Sequence, residues 1–561
     1  MLKKFILLLT GLVGSAIAQP PIPNFAPGSC GELARSGYFA LPGAPTSISR
    51  TRVVPDNADQ PEHCAVRGLI APQIGFEMLL PISAWNGRYL QVGCGGYCGQ
   101  ELIPNGQARQ ALARGYAVAY TNGGHVSGGR GGNGAADAFW GEDPSLRTDF
   151  GWRSEHVMSA AAKAIIDSFY GRKPQRSYYQ GCSNGGRQAL QEAQRFPTDF
   201  DGVIAGSPAA IQAPLNGEYE VWNARANRSE NGSPILTAAE LPFLHRAVME
   251  QCDAVDGLRD GQITDPRACH FQPEVLLCPS GANPEAKPGS CLTRAQLDVV
   301  NKLYGGPRDE SGRLLYPGYQ AFGSELGWLG WVVPFGGGAA PATTITSGIA
   351  NGYLKFLAFE TTPPADFTYL DWRFDAAGFD RLRPMGETYN ATNPDLAPFS
   401  ARGGKLILYA GWADPAIPPF GTVAYYQAVA DAAGSFPAAQ KFARLFMVPG
   451  MYHCSGGIGP DQFDLLTPLE NWVERGMAPD MIIASQTAGK AASGGFSDPT
   501  AGGNSGKVIR TRPLYPYPQQ ARYRGHGDIN DATNFEPVIV PGLIDGRIDW
   551  LGQDLFAAPG K

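Results

Sequence analysis

A chain of 561 residues is too long for one ordinary hydrophobic core, so a large domain with a substantial insertion or a second domain is expected. Its 43% hydrophobic and 17% charged composition is that of a folded globular protein and excludes a disordered one. A formal net charge of -6 with no basic run leaves no footprint for nucleic acid.

At the N-terminus, Lys3 and Lys4 precede the apolar run Phe5 to Val13, and Ala16-Ile-Ala18 supplies an A-x-A cleavage site. Residues 1–18 therefore read as a secretory signal peptide, too short for a permanent membrane helix. No later stretch is long and apolar enough to span a bilayer, so a soluble, secreted or periplasmic protein is expected, in a compartment where disulfides persist.

From Gly68 to Val92 the pattern reads as antiparallel strands opening a sheet, with Asn86-Gly87 as a turn signal between them. A glycine-rich loop, Gly93 to Gly99, follows. Then come a helical run from Gly106 to Arg114, a strand from Tyr116 to Tyr120 and a helix from Ser154 to Tyr170. That helix is apolar at Val157, Ala161, Ala164 and Ile165 and small at Ser168, which predicts one buried face. A strand from Arg176, a helix to Arg195 and a strand Gly202 to Ala205 complete a βα alternation, the mark of a mainly parallel sheet covered on both faces.

After Pro208 the alternation stops. Residues 210–392 are rich in Gly, Pro and aromatic pieces such as Gly327-Trp-Leu-Gly-Trp331, and Gly404 to Gly411 resumes a buried strand. The reading is one α/β domain over 19–209 and 393–561 with a second domain inserted over 210–392. Asn227, Asn231 and Asn390 lie in N-x-S/T sequons.

The chemistry centres on Gly181-Cys182-Ser183-Asn184-Gly185, preceded by a strand and followed by a helix-forming run. That context is the nucleophile elbow, in which a sharp turn exposes a serine above the sheet and over a helix N-terminus that favours negative charge. A serine nucleophile needs a base and an orienting acid, in this fold in the order Ser, Asp or Glu, His. Of the two histidines far enough downstream, His453 sits in a glycine-rich loop after a strand, whereas His526 lies in a polar tail segment expected at the surface. Asp414 follows the strand Lys405 to Tyr409 and is placed to accept a hydrogen bond from an imidazole; the alternative is a turn cap before Pro415. His125 and His156 read as buried structural histidines.

Ten cysteines suit the exported compartment, and disulfides are favoured over zinc because no C-x-x-C pair occurs and the histidines are scattered. Cys30 and Cys64 bracket the N-terminal region, while Cys252 with Cys269 and Cys278 with Cys291 close short loops. Cys94 and Cys98 lie four apart, either bridged and stiffening their loop or free and redox-sensitive. Cys182 and Cys454 adjoin Ser183 and His453, close enough to bridge if those two side chains meet. Connectivity is not decided by sequence alone.

Cys252 to Asp265 places Asp253, Asp256 and Asp260 on a tight loop. Three carboxylates so close repel unless solvated or neutralised, so the loop is either a solvated acidic turn or a calcium site. The EF-hand spacing is absent.

The combination of Cys182-Ser-Asn-Gly-Gly186, Trp412-Ala-Asp414 and His453-Cys-Ser-Gly-Gly457 resembles the tannase and feruloyl esterase family of secreted α/β-hydrolases. That family also includes a bacterial hydrolase of mono(2-hydroxyethyl) terephthalate. The likeness extends to Trp85-Asn-Gly-Arg88, Thr121 to His125, Phe169-Tyr-Gly171, Phe200-Asp-Gly202 and Arg510 to Tyr517. The resemblance implies an α/β-hydrolase fold with a large inserted lid domain, a triad of Ser183, Asp414 and His453, and a Cys182–Cys454 bridge. It implies an oxyanion hole from the backbone N–H groups of Gly96 and Asn184. It also implies a structural calcium ion in the lid, held by Asp253, Asp256, Asp260 and the carbonyls of Leu258 and Gln262, with no cofactor for the chemistry. Gln262 stands where the family has an aliphatic residue.

The expected activity is hydrolysis of aromatic acid esters through an acyl-enzyme, on a small ester or on an ester-decorated polysaccharide or polyphenol. Feruloyl and related hydroxycinnamoyl esters come first and gallate esters second. Terephthalate monoesters come third, because Ser347 to Pro364 carries no arginine where the terephthalate monoester hydrolase places one. A secreted peptidase and a catalytically silent binding protein on the same fold are the rival readings.

Overall fold

The computed structural model describes residues 29–35, 37–100, 105–127, 136–279, 289–336, 343–488, 506–544 and 546–557. The leader read over 1–18 lies outside the described residues. Among them, no helix is long and apolar enough to cross a membrane.

Nine strands form one sheet: β1 (Thr46–Val54), β2 (His63–Ile70), β3 (Ile74–Pro81), β4 (Arg88–Val92), β5 (Ala117–Thr121), β6 (Arg176–Cys182), β7 (Gly202–Gly206), β8 (Lys405–Gly411) and β9 (Ala443–Val448). Their spatial order is β1-β2-β3-β5-β4-β6-β7-β8-β9. From β5 to β9 every neighbouring pair is parallel, and β1, β2 and β3 add an antiparallel edge. This is the α/β-hydrolase arrangement expected from the sequence.

The central strands are buried along nearly their whole length because both faces are covered. On β7, Val203 and Ala205 enter one core while Ile204 enters the other; on β8, Leu406 and Leu408 oppose Ile407 and Tyr409. Helices Ser154–Tyr170, Asn184–Arg195 and Pro419–Ala432 pack on the first face through Val157, Leu190 and Val423. Helices Asn105–Ala113 and Leu466–Arg475 pack on the second through Leu112, Leu469 and Trp472. Fully burying each such Leu, Ile or Val side chain stabilises the fold by roughly 1.5–3 kcal/mol. The helix Ser154–Tyr170 matches its expected bounds, but Met158, Ala162 and Ile166 are buried too, while Ala164 is only half-buried.

One expectation fails. Asn86-Gly87 does not join β3 to β4 as a hairpin, because β5 lies between them and β4 runs parallel to it. The turn docks on the neighbouring connection instead: Asn86 N–H donates to Gly115 O (2.9 Å) and Asn86 Nδ2 to Arg114 O (2.8 Å). A turn signal fixes a local bend, and side-chain docking decided where that bend leads.

Between β7 and β8, residues 207–404 contribute no strand to the sheet among the described residues. They carry helices Glu220–Ala226, Leu241–Cys252, Arg294–Gly305, Ile345–Gly352 and Ala376–Tyr389. Arg294–Gly305 starts at a capping box formed by Thr293 and Gln296. The buried Glu325 carboxylate organises part of this segment, accepting from Tyr304 Oη (2.7 Å) and Gly323 N–H (2.7 Å) and meeting His245 Nδ1 at 2.6 Å. Asn227 is buried, and its Nδ2 donates to Leu236 O (2.9 Å), so this sequon is closed to a glycan. Asn231 is exposed and Asn390 half-buried.

Candidate active site

The elbow is built as the sequence requires. β6 ends at Cys182, Ser183 takes φ 64° and ψ -125°, and the helix begins at Asn184. A non-glycine residue in that region is costly and persists only where its surroundings hold it. Here the Ser183 N–H donates to Gly206 O (3.0 Å), and its carbonyl accepts from Arg187 N–H and Ala209 N–H, both at 3.1 Å. Gly181 is obligatory for a second reason: a Cβ there would lie 2.5 Å from the Gly185 carbonyl.

Asp414 follows β8 and is fully buried. Its two carboxylate oxygens make both of the contacts expected of it. Its Oδ1 accepts from the Ala416 and Ile417 N–H groups, each at 2.9 Å, which is the turn cap. Its Oδ2 lies 2.9 Å from His453 Nδ1, which is the orienting bond. With the Nδ1 proton donated to the carboxylate, Nε2 is the ring nitrogen left to take a proton.

His453 is buried in the loop after β9, and Trp331 from the segment between β7 and β8 meets its ring edge-on at 5.3 Å. The Cys182–Cys454 bridge is formed, with a Cα–Cα distance of 6.0 Å across a sequence separation of 272. Ser183 and His453 each adjoin one end of it. His526, by contrast, is exposed.

The loop after β4 lies against the elbow. A Cβ on Gly93 would stand 2.7 Å from Gly185 Cα, and Asn184 Nδ2 donates to Cys94 O at 3.4 Å. Gly96 sits at φ 56° in this loop, and Cys94 and Cys98 are bridged across it. The Cys30–Cys64, Cys252–Cys269 and Cys278–Cys291 bridges are formed as well, and among the described residues no cysteine is free.

Several residues at the site carried no signal in the sequence. Arg187, wholly buried, donates to the carbonyls of Gly151 (2.7 Å), Phe150 (2.9 Å) and Tyr389 (3.1 Å) and to Asn184 Oδ1 (2.8 Å). Burial pulls its guanidinium down to about 9. Its four acceptors, with no carboxylate among them, pin the elbow helix to Phe150 and Gly151 ahead of β6 and to Tyr389 of the segment between β7 and β8. Glu220 is buried, and its acid is pushed up to about 8 by burial, with the negative Asp414 adding to the shift. A single charged residue in an amphipathic-looking run does not announce such burial.

His125 is buried as expected, stacked on Trp140 at 3.8 Å with Nε2 2.6 Å from Tyr97 O, and desolvation lowers it to about 4. His156 is a correction: it is half-buried, stacks on Phe196 at 3.8 Å and meets Asp199 Oδ2 at 2.7 Å.

The acidic loop is clipped by Cys252–Cys269 and carries Asp253, Asp256 and Asp260 together. Asp253 Oδ1 accepts from the Asp260 (3.1 Å) and Gly261 (3.0 Å) N–H groups, and Asp256 Oδ1 from Leu258 N–H (2.9 Å). Asp260 accepts from Gln262 N–H (3.1 Å) and pairs with Arg512. Burial raises the Asp256 carboxyl, and its Asp260 and Asp253 neighbours raise it further. The donors are all oxygen, which suits a hard cation. In this arrangement they serve the loop's own amides, the Thr264 hydroxyl and Arg512, and among the described residues no three acidic, His or Cys side chains converge as metal ligands.

Residues 60–538 match the family model described as tannase and feruloyl esterase. The chain is 36% identical over 546 residues to an uncharacterised esterase of Xanthomonas campestris, covering 89% of this chain and 87% of that protein. It is also 36% identical over 533 residues to the mono(2-hydroxyethyl) terephthalate hydrolase of Piscinibacter sakaiensis, covering 85% of this chain and 84% of that one. Feruloyl esterase B from Aspergillus oryzae superposes with a TM-score of 0.72 at 28% identity, over 88% of this chain and 97% of that one. With an elbow serine, a buried Asp–His pair and this match over most of its length, the chain belongs to the tannase and feruloyl esterase family and is a carboxylic ester hydrolase.

Proposed function

We propose that the protein is a secreted serine esterase that cleaves aromatic acid esters through an acyl-enzyme, with Ser183, His453 and Asp414 as its triad. The observation that carries this reading is the 2.9 Å Asp414–His453 bond, tied by the Cys182–Cys454 bridge to the strained serine of the elbow. Ser183 Oγ attacks the ester carbonyl carbon while His453 Nε2 takes its proton. Asp414 holds the ring's tautomer and stabilises its charged form. The backbone N–H groups of Asn184 and Gly96 stabilise the oxyanion; losing one such donor costs about 100- to 1,000-fold in rate. The intermediate collapses, the alcohol leaves with the proton from His453, and an acyl-serine remains. Water then attacks with His453 as base, releasing the acid and restoring Ser183.

Hydroxycinnamate esters are the first choice of substrate and gallate esters the second, on small esters or on ester-decorated polymers. The likeness to feruloyl esterase B supports the first choice. Terephthalate monoesters are the specific alternative, favoured by the 36% identity to a hydrolase of that substrate. Against them, Ser347 to Pro364 holds Lys355 as its only cation, and its Nζ donates to Ala365 O at 3.1 Å.

Calcium is proposed as a structural ion on the carboxylates of Asp253, Asp256 and Asp260 and the carbonyls of Leu258 and Gln262. It would neutralise the mutual repulsion of the three acids and supply no chemistry to the reaction. Five disulfides support export to an oxidising compartment.

The test is a hydrolysis panel on the purified chain: methyl ferulate, methyl gallate, a terephthalate monoester and a short aliphatic ester, each beside Ser183→Ala. The expected result is turnover of an aromatic ester, fastest on methyl ferulate, that vanishes in the variant. A terephthalate monoester leading the panel would replace the substrate choice. Absence of turnover on every ester by a folded, calcium-supplied sample would overturn the reading.

A further inference from the structure

The loop Gly93 to Gly99 carries a feature that the hydrolytic reading does not use. Its Cys94–Cys98 bridge closes a sequence separation of only four, against 272 for Cys182–Cys454. The stabilisation a cross-link gives by restricting the unfolded chain grows with loop length, so so short a bridge contributes little that way. Whatever it does is local.

Gly96 is the midpoint of this bridge, two residues from each cysteine. Both Gly96 (φ 56°) and Cys98 (φ 61°) are left-handed, and Cys98 is one of four non-glycine residues so placed among those described. Such conformations persist only where the surroundings over-determine them. Both sulfurs are engaged from the elbow helix: Asn184 Nδ2 lies 3.2 Å from Cys98 Sγ, and Gln188 Nε2 lies 3.2 Å from Cys94 Sγ. Gln188 Oε1 also accepts the Cys94 N–H at 3.0 Å. Gln188 is held in turn by Glu155 (3.2 Å), whose carboxylate accepts from Thr121 Oγ1 and Gln91 Nε2, each at 2.7 Å. On the other side, Tyr97 Oη donates to Ile349 O at 2.9 Å. Cys94, Cys98, Asn184, Gln188 and Glu155 are all buried.

We propose that the Cys94–Cys98 bridge is a positioning element for the oxyanion hole, closing the turn that carries the Gly96 amide and contacting the Asn184 side chain, so that the two are held in one fixed relation. The proposal rests on the assignment of Gly96 and Asn184 given above. An oxyanion hole works because its donors are aimed before the reaction begins, and their misplacement by about 1 Å costs on the order of 100-fold. The bridge ties the loop donor to itself, and its sulfurs and the Cys94 amide tie it to the helix that presents the other donor.

The test is a pair of double variants, Cys94→Ser/Cys98→Ser and Cys94→Ala/Cys98→Gly, the second relieving the left-handed backbone at 98. For each, kcat, KM, the thermal midpoint, inhibition by an arylboronic acid that mimics the tetrahedral intermediate, and inhibition by the product acid are measured. The expected result is a fall in kcat of roughly 10- to 100-fold with KM within about threefold. Boronate affinity should weaken by the same factor, with product affinity unchanged. Unchanged kcat and boronate affinity would overturn the proposal. So would a loss that appears in KM or only in step with the thermal midpoint, or failure of both variants to fold, since the bridge would then be a folding staple. Ser183→Ala in the same assay separates the two levels: if it retains turnover, the triad reading has failed, whereas loss there with intact double variants refutes the bridge alone.

Discussion

The sheet and the segment between β7 and β8 meet at one histidine, yet they are built by different rules. Around His453, Asp414 and Ser183 come from strand ends, each fixed by backbone bonds to its own turn. Trp331, which meets the same imidazole edge-on, comes from an interval of helices and turns organised around buried polar groups such as Glu325. Geometry held by a parallel sheet is stiff, and geometry held by side-chain networks and bridges is open to variation. The chemistry is therefore expected to depend on the first region, and substrate choice on the second.

The sharpest break of that comparison is in the sheet. Ser183→Ala should lower kcat on an aromatic ester by at least about 10,000-fold while the thermal midpoint barely moves. Asp414→Asn should lower kcat by roughly 10,000-fold through the wrong imidazole tautomer. It should also lower stability, because Oδ1 caps the turn through Ala416 and Ile417; steady-state kinetics beside thermal melts would show both. Replacing Cys182 and Cys454 by Ser removes a link across 272 residues and should cost on the order of 4–5 kcal/mol in denaturant unfolding.

Effects in the inserted segment should be smaller and of another kind. On the proposed calcium reading, adding a chelator, or Asp256→Ala, should lower the thermal midpoint by several degrees and leave kcat within about twofold at a temperature where the protein is folded. Glu220 gives a pH signature. Its buried acid is pushed up to about 8 from an ordinary 4.5, so the native state keeps a proton that the unfolded chain has already lost. That contribution is whole below about pH 4.5 and is lost as pH rises through 8. Glu220→Gln should flatten the decline in thermal midpoint between those pH values; an unaltered slope would refute the burial account.

How much of this was legible in the chain follows the same division. The elbow, Asp414 and His453 were readable because each lies in a short local pattern at a strand end, where strand, turn and glycine spacing carry the signal. Asn86-Gly87 misled because a turn motif states a bend and not which strand comes next. β1 was not anticipated: it is an edge strand whose burial shows little alternation beyond its first residues. Arg187, Glu220 and Trp331 were opaque because their burial comes from elements far apart in sequence, as in the bond from Arg187 to Tyr389 O. Asn227 shows the converse, a motif legible in sequence and closed by packing.

The central claim is the acyl-enzyme on Ser183. It is tested most directly by mixing excess methyl ferulate with enzyme, quenching in acid within the first turnovers and mapping the adduct by peptide mass spectrometry. The account predicts a feruloyl group on the peptide bearing Ser183, formed in a burst before steady state if deacylation is the slower step, and trapped at higher occupancy when alcohol release is fast. Turnover with no adduct at any quench time, or an adduct on another residue, would contradict it.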